Sequence, residues 1–483
     1  MAHERLRIMT EDQVAQIDAA VVHILSEIGL RVASPKVSEM LSKAGCIVRD
    51  GNTRVPEPIL RHAIEQAPRS FELCGRETER AVTIGDGQTH IQPMIGRLHI
   101  LDADGTRRLT TLEDVQSIVR LCDALDHYDI LHGGAVMPSI DGVPRQVTHV
   151  AGFVQTLRCT GKPFKGTCRD PKVAEDCLRL AEAVGSATGA PFMLHTTCNL
   201  ISPLQMAEEI SEGALSYIRK GWPVDFAAEP QMGATSPVTL SGTVAQSLAE
   251  SLTGLVLAQA VNPSSPVFLG SVAAAMDMRH ATIALGGVEA ALVNAAHAQM
   301  CAHWGIPSRG TGSNTNAKQL DFQAGFEKML TLLLPALAGM DMIFYPGTIE
   351  HAETISLESL VLDHDLCAIA QRAREGLRVS DDLLAVDLIK QIGPSGMFLA
   401  LPQTAREMFT EHLVHGLWDR RLRSDWDAAG APTPATLAHE KAEQILGVPR
   451  PALPDAVEDA VRHVVEEIAQ REDESDLIKE LWP

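Results

Sequence analysis

The chain has 483 residues, of which 45% are hydrophobic, and its formal net charge at pH 7 is −21. This length allows two or three domains, or one barrel with an appended domain. The negative charge argues against a nucleic-acid partner, which requires a basic face, and against an anionic membrane surface.

The N-terminal residues predict a mixed α/β region. Thr10 and Gln13 match a capping box, and apolar residues then recur at helical spacing until Gly29. Further along, the stretch "HIQPMIGRLHILDADGTRRLT" predicts strands joined by a turn at Asp104-Gly105. We therefore assign residues 1–108 to an N-terminal α/β region.

From residue 110 onward, short apolar runs alternate with helices that have clear start signals, such as proline at the first helical position in Asp170-Pro171. This alternation predicts an eight-stranded β/α (TIM) barrel over residues 109–416 and a C-terminal helical extension over 417–483. A doubly wound open sheet competes with the barrel, but the glycine fingerprint of its first turn is missing. The eight predicted strands cover residues 128–137, 163–167, 192–198, 224–229, 266–272, 307–311, 341–347 and 396–403.

One loop, "SRGTGSNTNAKQLDFQAG" (308–325), combines glycines, hydroxyls and amides before a helical pattern. Glycine-rich loops before helices often bind phosphate. Here, however, Thr315 replaces the third glycine of the dinucleotide motif, and Gln319 follows Lys318 where a P-loop requires Ser or Thr. The pattern therefore favours another role for this loop.

The metal-binding patterns of the sequence are poor, and we predict no metal site. Asp363, His364 and Asp365 are consecutive, so their side chains point in different directions on a helix. The nine cysteines form no C-x-x-C pair, which gives no thiolate zinc site and fits a reducing compartment. Because no stretch has the pattern of a membrane span or a signal peptide, we expect a cytoplasmic protein.

Several long stretches carry a further signal. They include "AGCIVRDGNTRVPEPILRHAIEQAP" (44–68), "MDMRHATIALGGVEAALVNAAHAQMCAHWGIP" (276–307) and "LWDRRLRSDWDAAG" (417–430). In order and spacing they resemble the trimethylamine methyltransferase family in its broad form, which includes glycine betaine:corrinoid methyltransferases. The resemblance implies a β/α barrel and transfer of a methyl group from an amine nitrogen to the cobalt of a corrinoid held by a separate protein.

The chain contains only standard residues, so the resemblance places it in the branch without pyrrolysine, where the substrates are quaternary amines. A quaternary ammonium leaves as a neutral amine, so its reaction needs alignment and a cation pocket rather than an acid or a metal. The nearest match to the corrinoid-binding motif D-x-H-x-x-G contains His149, with Val147 in place of the aspartate. The corrinoid is therefore expected on a partner protein, and we also expect a homo-oligomer.

The candidate site residues lie at the predicted strand ends, where barrel enzymes collect their chemistry. Relatives often have histidines near the eighth strand, and this chain departs from that pattern with Met397 and Gln403. A cation needs aromatic faces or a carboxylate, and a betaine carboxylate needs donors. For the cation we predict Glu229, Phe344 and Tyr345, with Trp222 and Phe226 as further aromatic candidates. For the carboxylate we predict the donors Arg309, Thr311, Ser313, Asn314, Asn316 and His351. Two further candidates at strand ends are His195 and Gln403.

Three functions remain open from the sequence. The first is methyl transfer from a quaternary amine, such as glycine betaine, to a corrinoid protein. The second is another barrel enzyme, for instance a lyase that forms a Schiff base on Lys165. The third is a non-catalytic protein that binds quaternary ammonium compounds.

Overall fold

The computed structural model describes residues 5–414 and 416–482. Its centre is a six-stranded sheet, called here the central sheet, in which all neighbouring strands are parallel. Buried runs of small, β-branched and aromatic residues form these strands, as is typical of a parallel sheet covered on both faces. The strands are, in spatial order, His90–Gln92, Met342–Phe344, Ser308–Thr311, Val267–Ser271, Val224–Ala228 and Thr196–Leu200.

The order of the central sheet follows the chain without reversal, and the first strand along the chain, His90–Gln92, pairs with the last, Met342–Phe344. A doubly wound sheet would reverse its order at a switch point. Backbone hydrogen bonds continue beyond the two edges: Ile130 donates to Ile91, Leu131 to Pro163 and Gly166 to His195. The predicted strands 128–137 and 163–167 contribute isolated bridges rather than regular strands. The α/β class is confirmed, whereas eight strands are not.

The predicted eighth strand at 396–403 is wrong. Its residues are irregular up to the helix Pro402–Glu411, and Met397 and Leu399 are exposed. They belong to residues 376–414, called here the C-terminal arm, none of whose described residues is buried. An apolar run predicts that its side chains are buried, but the surface that buries them can belong to another molecule.

Several local predictions are confirmed. The first helix spans Glu11–His23 and has both hydrogen bonds of the capping box between Thr10 and Gln13. The strands His99–Leu101 and Arg107–Leu109 form an antiparallel hairpin around the predicted turn. Four of the predicted strands of the central sheet lie where expected, and the run at 192–198 becomes the strand Thr196–Leu200. The division into three domains at residues 108 and 416 stays a prediction.

One helix of the described chain, Leu240–Val261, is long and apolar enough to cross a membrane. However, 89% of its most apolar window is buried inside the protein. It packs on the strands Val224–Ala228 and Val267–Ser271 on one side and on N-terminal helices on the other. Gly254 allows the contact with Phe226, because a Cβ there would lie 2.1 Å from that ring. These features are typical of a core helix in a large α/β protein.

The remaining elements surround the central sheet. The other strands are Leu30–Val32, Ile47–Arg49, Asn52–Arg54, Phe71–Leu73, Val82–Ile84, Gln205–Met206, Gln231–Met232, Ala274–Asp277, Thr282–Ala284, Thr348–Ile349 and Thr354–Ile355. The other α-helices are Pro35–Lys43, Glu57–Gln66, Leu112–Ala124, Thr148–Cys159, Pro171–Thr188, Glu208–Lys220, Val288–Trp304, Phe322–Ala338, Leu357–Glu375, Asp381–Leu384, Val386–Ile392, Arg423–Ala428, Pro434–Leu446, Asp455–Glu472 and Asp476–Leu481.

Candidate active site

A cavity of about 450 Å³ lies at the carboxyl ends of the strands of the central sheet. A cleft of about 540 Å³ beside Arg5 and Gln299 is larger. It is lined in part by the first residues of the described chain and lies away from these strand ends. Charged side chains converge on the cavity, whereas the wall of the cleft is largely apolar. We therefore take the cavity as the candidate site. Its lining includes Arg97, His132, Lys165, Arg169, Thr196, Thr197, Glu229, Arg309, Phe344 and Tyr345.

Arg309, which lines the cavity, belongs to a buried ion pair. Arg309 Nη1 lies 3.0 Å from Asp225 Oδ2, and the two side chains are 2% and 0% exposed. Thr197 Oγ1 donates to the same carboxylate at 2.9 Å. Burial raises the pKa of Asp225, against the effect of the Arg309 and Lys165 charges. Gly270 leaves the space for this carboxylate, since a Cβ there would lie 2.2 Å from Asp225 Oδ1.

Lys165 follows the bridge at Phe164 and is almost fully buried beside this pair. Burial and the charge of Arg309 lower the pKa of Lys165 to about 7, although Asp225 and Glu229 favour its charged form. At neutral pH the side chain is therefore divided between ammonium and free amine. A ligand carboxylate beside Lys165 would favour its ammonium form, which could then donate hydrogen bonds to that carboxylate.

Glu229 comes directly after the strand Val224–Ala228, and its side chain is open to the cavity while protein surrounds it. This enclosure raises the pKa of Glu229, and Arg309, Arg97 and Lys165 act in the opposite direction. It is the one predicted carboxylate that reaches the cavity.

The two predicted aromatic residues of the cavity already face guanidinium groups of the protein. Arg309 Cζ lies 4.0 Å from the Phe344 ring centroid, and Arg97 Cζ lies 5.2 Å from that of Tyr345. The two rings also stack on each other with centroids 4.3 Å apart, and His132 stacks on Phe344 at 5.0 Å. A substrate cation would therefore compete with arginine for the faces of these rings.

The histidines of this region are held neutral. Burial and the charge of Lys165 keep the pKa of both His132 and His195 well below the usual range. Gln92 Nε2 lies 2.9 Å from His195 Nε2, and this contact fixes the position of the His195 ring. His132 lines the cavity, whereas His195 lies beneath it in the core.

The residues of the glycine-rich loop are engaged within the protein. Asn314 Nδ2 donates to Thr311 Oγ1 at 2.9 Å, and Asn316 Nδ2 donates to the Ile283 carbonyl at 2.8 Å and to His351 Nδ1 at 2.6 Å. Lys328, paired with buried Asp363 at 2.7 Å, also donates to the carbonyl of Ser313 at 3.3 Å. The structure does not bring Thr311, Ser313, Asn314, Asn316 and His351 into the lining of the cavity, and their predicted role in binding stays a prediction.

Three other candidates also lie apart from the cavity. Gln403 is on the helix Pro402–Glu411 of the C-terminal arm, where it donates to the carbonyl of Asp382 at 3.5 Å. Phe226 points into the core against the helix that contains Gly254, and Trp222 packs on Tyr217 with ring centroids 6.3 Å apart. Gln403 was expected at a strand end, and the absence of that strand removes the reason for placing it at the cavity.

The sequence prediction missed Asp225 and Arg97 as site residues. Asp225 had a usable signal, because a carboxylate inside the apolar run "VDFAAE" requires a buried partner. Arg97 follows irregular residues between two short strands, and no periodic pattern marks it. His132 and Lys165 lay in predicted strands, but their proximity depends on how the chain folds between them.

The fold and the cavity together define an α/β protein with a polar pocket at the carboxyl ends of parallel strands, whose lining has more basic than acidic side chains. A family model described as trimethylamine methyltransferase (MTTB) matches residues 2–475. The chain belongs to this family, and the family and its named members indicate a methyltransferase.

Two relatives show the extent of the similarity. The chain is 29% identical over 446 residues to a glycine betaine methyltransferase of Desulfitobacterium hafniense (strain Y51), covering 92% of each protein. It is 32% identical over 455 residues to the trimethylamine methyltransferase MttB of Methanosarcina barkeri, covering 91% of this chain and 90% of that one. The match to a crystal structure of the hydroxylamine MtmB complex covers 90% of this chain and 92% of that chain. Its TM-score is 0.49 and the sequence identity is 13%, so the likeness is weak.

Proposed function

We propose that this protein transfers a methyl group from a quaternary amine that carries a carboxylate, such as glycine betaine, to a corrinoid held by a separate protein. The observation that carries the proposal is the charge of the cavity, which offers cations for a carboxylate and Glu229 for an ammonium group. The similarity to a glycine betaine methyltransferase supports the same substrate class.

The carboxylate end is the more selective part of the proposal. Arg97 and Lys165 line the cavity, and among the described residues Asp225 is paired with Arg309 rather than with them. Arg169 also lines the cavity, but its Nε lies 3.6 Å from Asp170 Oδ2. A substrate with only a positive charge would meet this excess of cations. A carboxylate 4 Å from one guanidinium instead gains about 4 kcal/mol at the effective dielectric constant of a partly enclosed site. The cavity therefore favours a zwitterion over a simple tetraalkylammonium ion.

Glu229 is the proposed partner of the ammonium end. Phe344 and Tyr345 already carry guanidinium groups on their rings, so they supply shape and exclude water more than they supply a free cation site. The protein that surrounds the cavity raises the pKa of Glu229, and a nearby quaternary ammonium would favour the ionised carboxylate. Contacts of the substrate carboxylate with Arg97 or Lys165 and of its ammonium group with Glu229 would thus fix the direction in which the substrate lies.

The chain's own contribution to the reaction is binding and orientation. The leaving group is a neutral tertiary amine, so no residue has to donate a proton, which suits the neutral His132 and His195. Arg97, Lys165 and Glu229 would hold the zwitterion with a methyl group toward the mouth and reduce its freedom before transfer. The corrinoid, when presented by its partner, supplies the nucleophile that accepts the methyl group.

The residues that match a corrinoid-binding motif do not fit that group. His149 is buried, and its Nε2 lies 3.0 Å from Asp176 Oδ2, so it has no access to a cobalt ion outside the helix Thr148–Cys159. Arg471 holds the same carboxylate from the C-terminal helix at 2.6 Å. This favours a corrinoid that arrives on a separate protein and docks at the mouth of the cavity.

The proposal includes a closed β/α barrel, a cytoplasmic location and a homo-oligomer. The pairing of His90–Gln92 with Met342–Phe344 and the bridges at Leu131 and Lys165 support closure of the central sheet. The C-terminal arm supports self-association, because its helices of 4, 7 and 10 residues bury no side chain of their own. Helices this short are marginal in water without a surface to pack on.

The test is methyl transfer measured by the absorbance change of a reduced corrinoid, free or bound to a candidate partner protein. We expect turnover with glycine betaine or a longer betaine, and much weaker turnover with choline and tetramethylammonium. Equal activity with tetramethylammonium would contradict the proposed role of the cations. The variant Glu229→Gln should raise KM for a betaine more than it lowers kcat.

A second function has one observation in its favour. The lowered pKa of Lys165, about 7, gives a free amine at neutral pH, as a Schiff-base lyase requires. Borohydride reduction in the presence of carbonyl compounds would attach the substrate to Lys165 if this function were the true one. Absence of any adduct together with betaine turnover would exclude it.

A further inference from the structure

A cluster of metal-ligating side chains lies at the opposite end of the central sheet from the cavity. Asp126 and His127 follow the helix Leu112–Ala124 and precede the bridge residue Leu131, so they lie at an amino-terminal strand end. His364 approaches them from the helix Leu357–Glu375. One ligand atom from each of the three side chains lies within 4.8 Å of the other two.

The cluster is held in place by contacts that need no ion. Tyr128 donates its hydroxyl proton to the Leu360 carbonyl at 2.5 Å, which joins the segment at Asp126 to the helix Leu357–Glu375. The His364 ring packs edge-on against Tyr128 and lies 4.7 Å, centroid to centroid, from the His127 ring. The two imidazoles are therefore fixed side by side before any ligand arrives.

The surroundings of His364 match the outer shell of a metal site. Its Nε2 lies 2.9 Å from Asp126 Oδ1, and its Nδ1 lies 3.6 Å from Asp365 Oδ1. Metal-bound histidines usually present one ring nitrogen to the ion and the other to a carboxylate that orients the ring. Here Nε2 faces the cluster while Nδ1 faces Asp365. The sequence hid this arrangement, because His364 meets its partners across space rather than along its own helix.

We propose that Asp126, His127 and His364 bind a divalent transition-metal ion of the zinc type. The bound ion would link the helix Leu357–Glu375 to the segment that leads into the central sheet. Two imidazoles and one carboxylate select such an ion over magnesium or calcium, which prefer oxygen ligands. The side chain of Asp126 is exposed, so it can move from its hydrogen bond with His364 onto an ion, and water completes the coordination. This role is structural, since the cluster lies away from the cavity.

The test uses the full-length protein without an affinity tag, freed of metal by a chelator. Titration with zinc ions in a calorimeter should show one bound equivalent, and the melting temperature should rise with it. Cobalt ions should give visible absorption typical of nitrogen and oxygen ligands without intense thiolate charge transfer, which separates this site from the nine buried cysteines. The variants His127→Ala and His364→Ala should each lose the equivalent and the stabilisation.

His463→Ala is the matched control, because His463 lies 3.4 Å from a glutamate on an exposed helix and has no second imidazole beside it among residues 5–414 and 416–482. This control should retain the equivalent. If His364→Ala fails to fold, His127→Ala and the cobalt spectrum of the parent protein decide the question. Zinc binding with the same stoichiometry in the parent and in His127→Ala, or no binding by the parent, would overturn the proposal.

Discussion

The central sheet and the C-terminal arm contain similar apolar sequences but differ in what covers them. The five residues of Val224–Ala228 are all buried, whereas Leu377, Leu399 and Phe409 of the arm are 80%, 80% and 71% exposed. The sheet is covered by helices of its own chain, while nothing in the described chain covers these arm residues. The comparison teaches that apolar patterning reports a need for burial, and that the covering surface has to be found separately.

The largest expected effect is in the buried ion pair of Arg309 and Asp225. Replacing Arg309 by methionine leaves Asp225 as an uncompensated buried carboxylate, so the free energy of unfolding should fall by about 3–5 kcal/mol. Urea denaturation followed by circular dichroism measures this change. The double variant Arg309→Met with Asp225→Leu should recover most of the loss, and if it is no more stable than the single variant, the pair is not the source of the effect.

The arm should respond differently, through association rather than folding. Leu399→Asp and Phe409→Asp each remove a side chain whose burial in a partner copy is worth about 1.5–3 kcal/mol, so self-association should weaken at least tenfold. Sedimentation velocity over a concentration series measures this. Val448→Asp is the control, because Val448 is exposed outside the arm. Unchanged association in both arm variants would show that the arm is not covered by a second copy.

Lys165 gives an effect that is small near neutral pH and grows as the pH rises. With a pKa of about 7 in the folded protein, below the value of 10.5 for an ordinary lysine, it binds fewer protons when folded than when unfolded between these pH values. The stability of the parent relative to Lys165→Met should therefore rise with pH from about 7 to 10, by at most about 1.4 kcal/mol per pH unit. Betaine affinity should fall over the lower part of this range, because the ammonium that attracts the carboxylate is lost. A flat difference in stability between the two proteins would contradict the lowered pKa.

The smallest predicted effect separates structure from binding in the glycine-rich loop. Asn316→Ala loses hydrogen bonds to the backbone of Ile283 and Gly286, which should cost about 1–2 kcal/mol of stability. Since this side chain does not line the cavity, KM for a betaine should change less than threefold, about 0.7 kcal/mol or less. A tenfold rise in KM with unchanged stability would instead support the sequence prediction that Asn316 contacts the substrate.

The sequence predicted the parts of the fold whose signals are local. The capping box at Thr10, the hairpin turn at Asp104-Gly105 and four strands of the central sheet follow from patterns within a few residues. Glu229, Arg309, Phe344 and Tyr345 reach the cavity because strand ends of a parallel sheet converge whatever the details of the loops. Their predicted roles in binding substrate still await experiment.

What the sequence did not reveal depends on contacts between distant segments. The strand His90–Gln92 was placed in the N-terminal region because its partner, Met342–Phe344, is far along the chain. Likewise, the loop at Ser313 looked like a ligand site because hydroxyls and amides serve equally well to hold a loop together. Lys328 and Asp363 hold the loop from within the protein, and the predicted binding role of its hydroxyls and amides stays a prediction.

The core helix Leu240–Val261 has a consequence for how the protein is made. While the chain emerges from the ribosome, this stretch is long and apolar enough to cross a membrane, so it needs a protein surface that covers it. The helices that contact it, Glu11–His23, Pro35–Lys43 and Glu57–Gln66, are translated earlier and are therefore present when it appears. We expect the N-terminal helices to cover this helix as soon as it is synthesised, so that the order of synthesis limits the exposure of its apolar side chains.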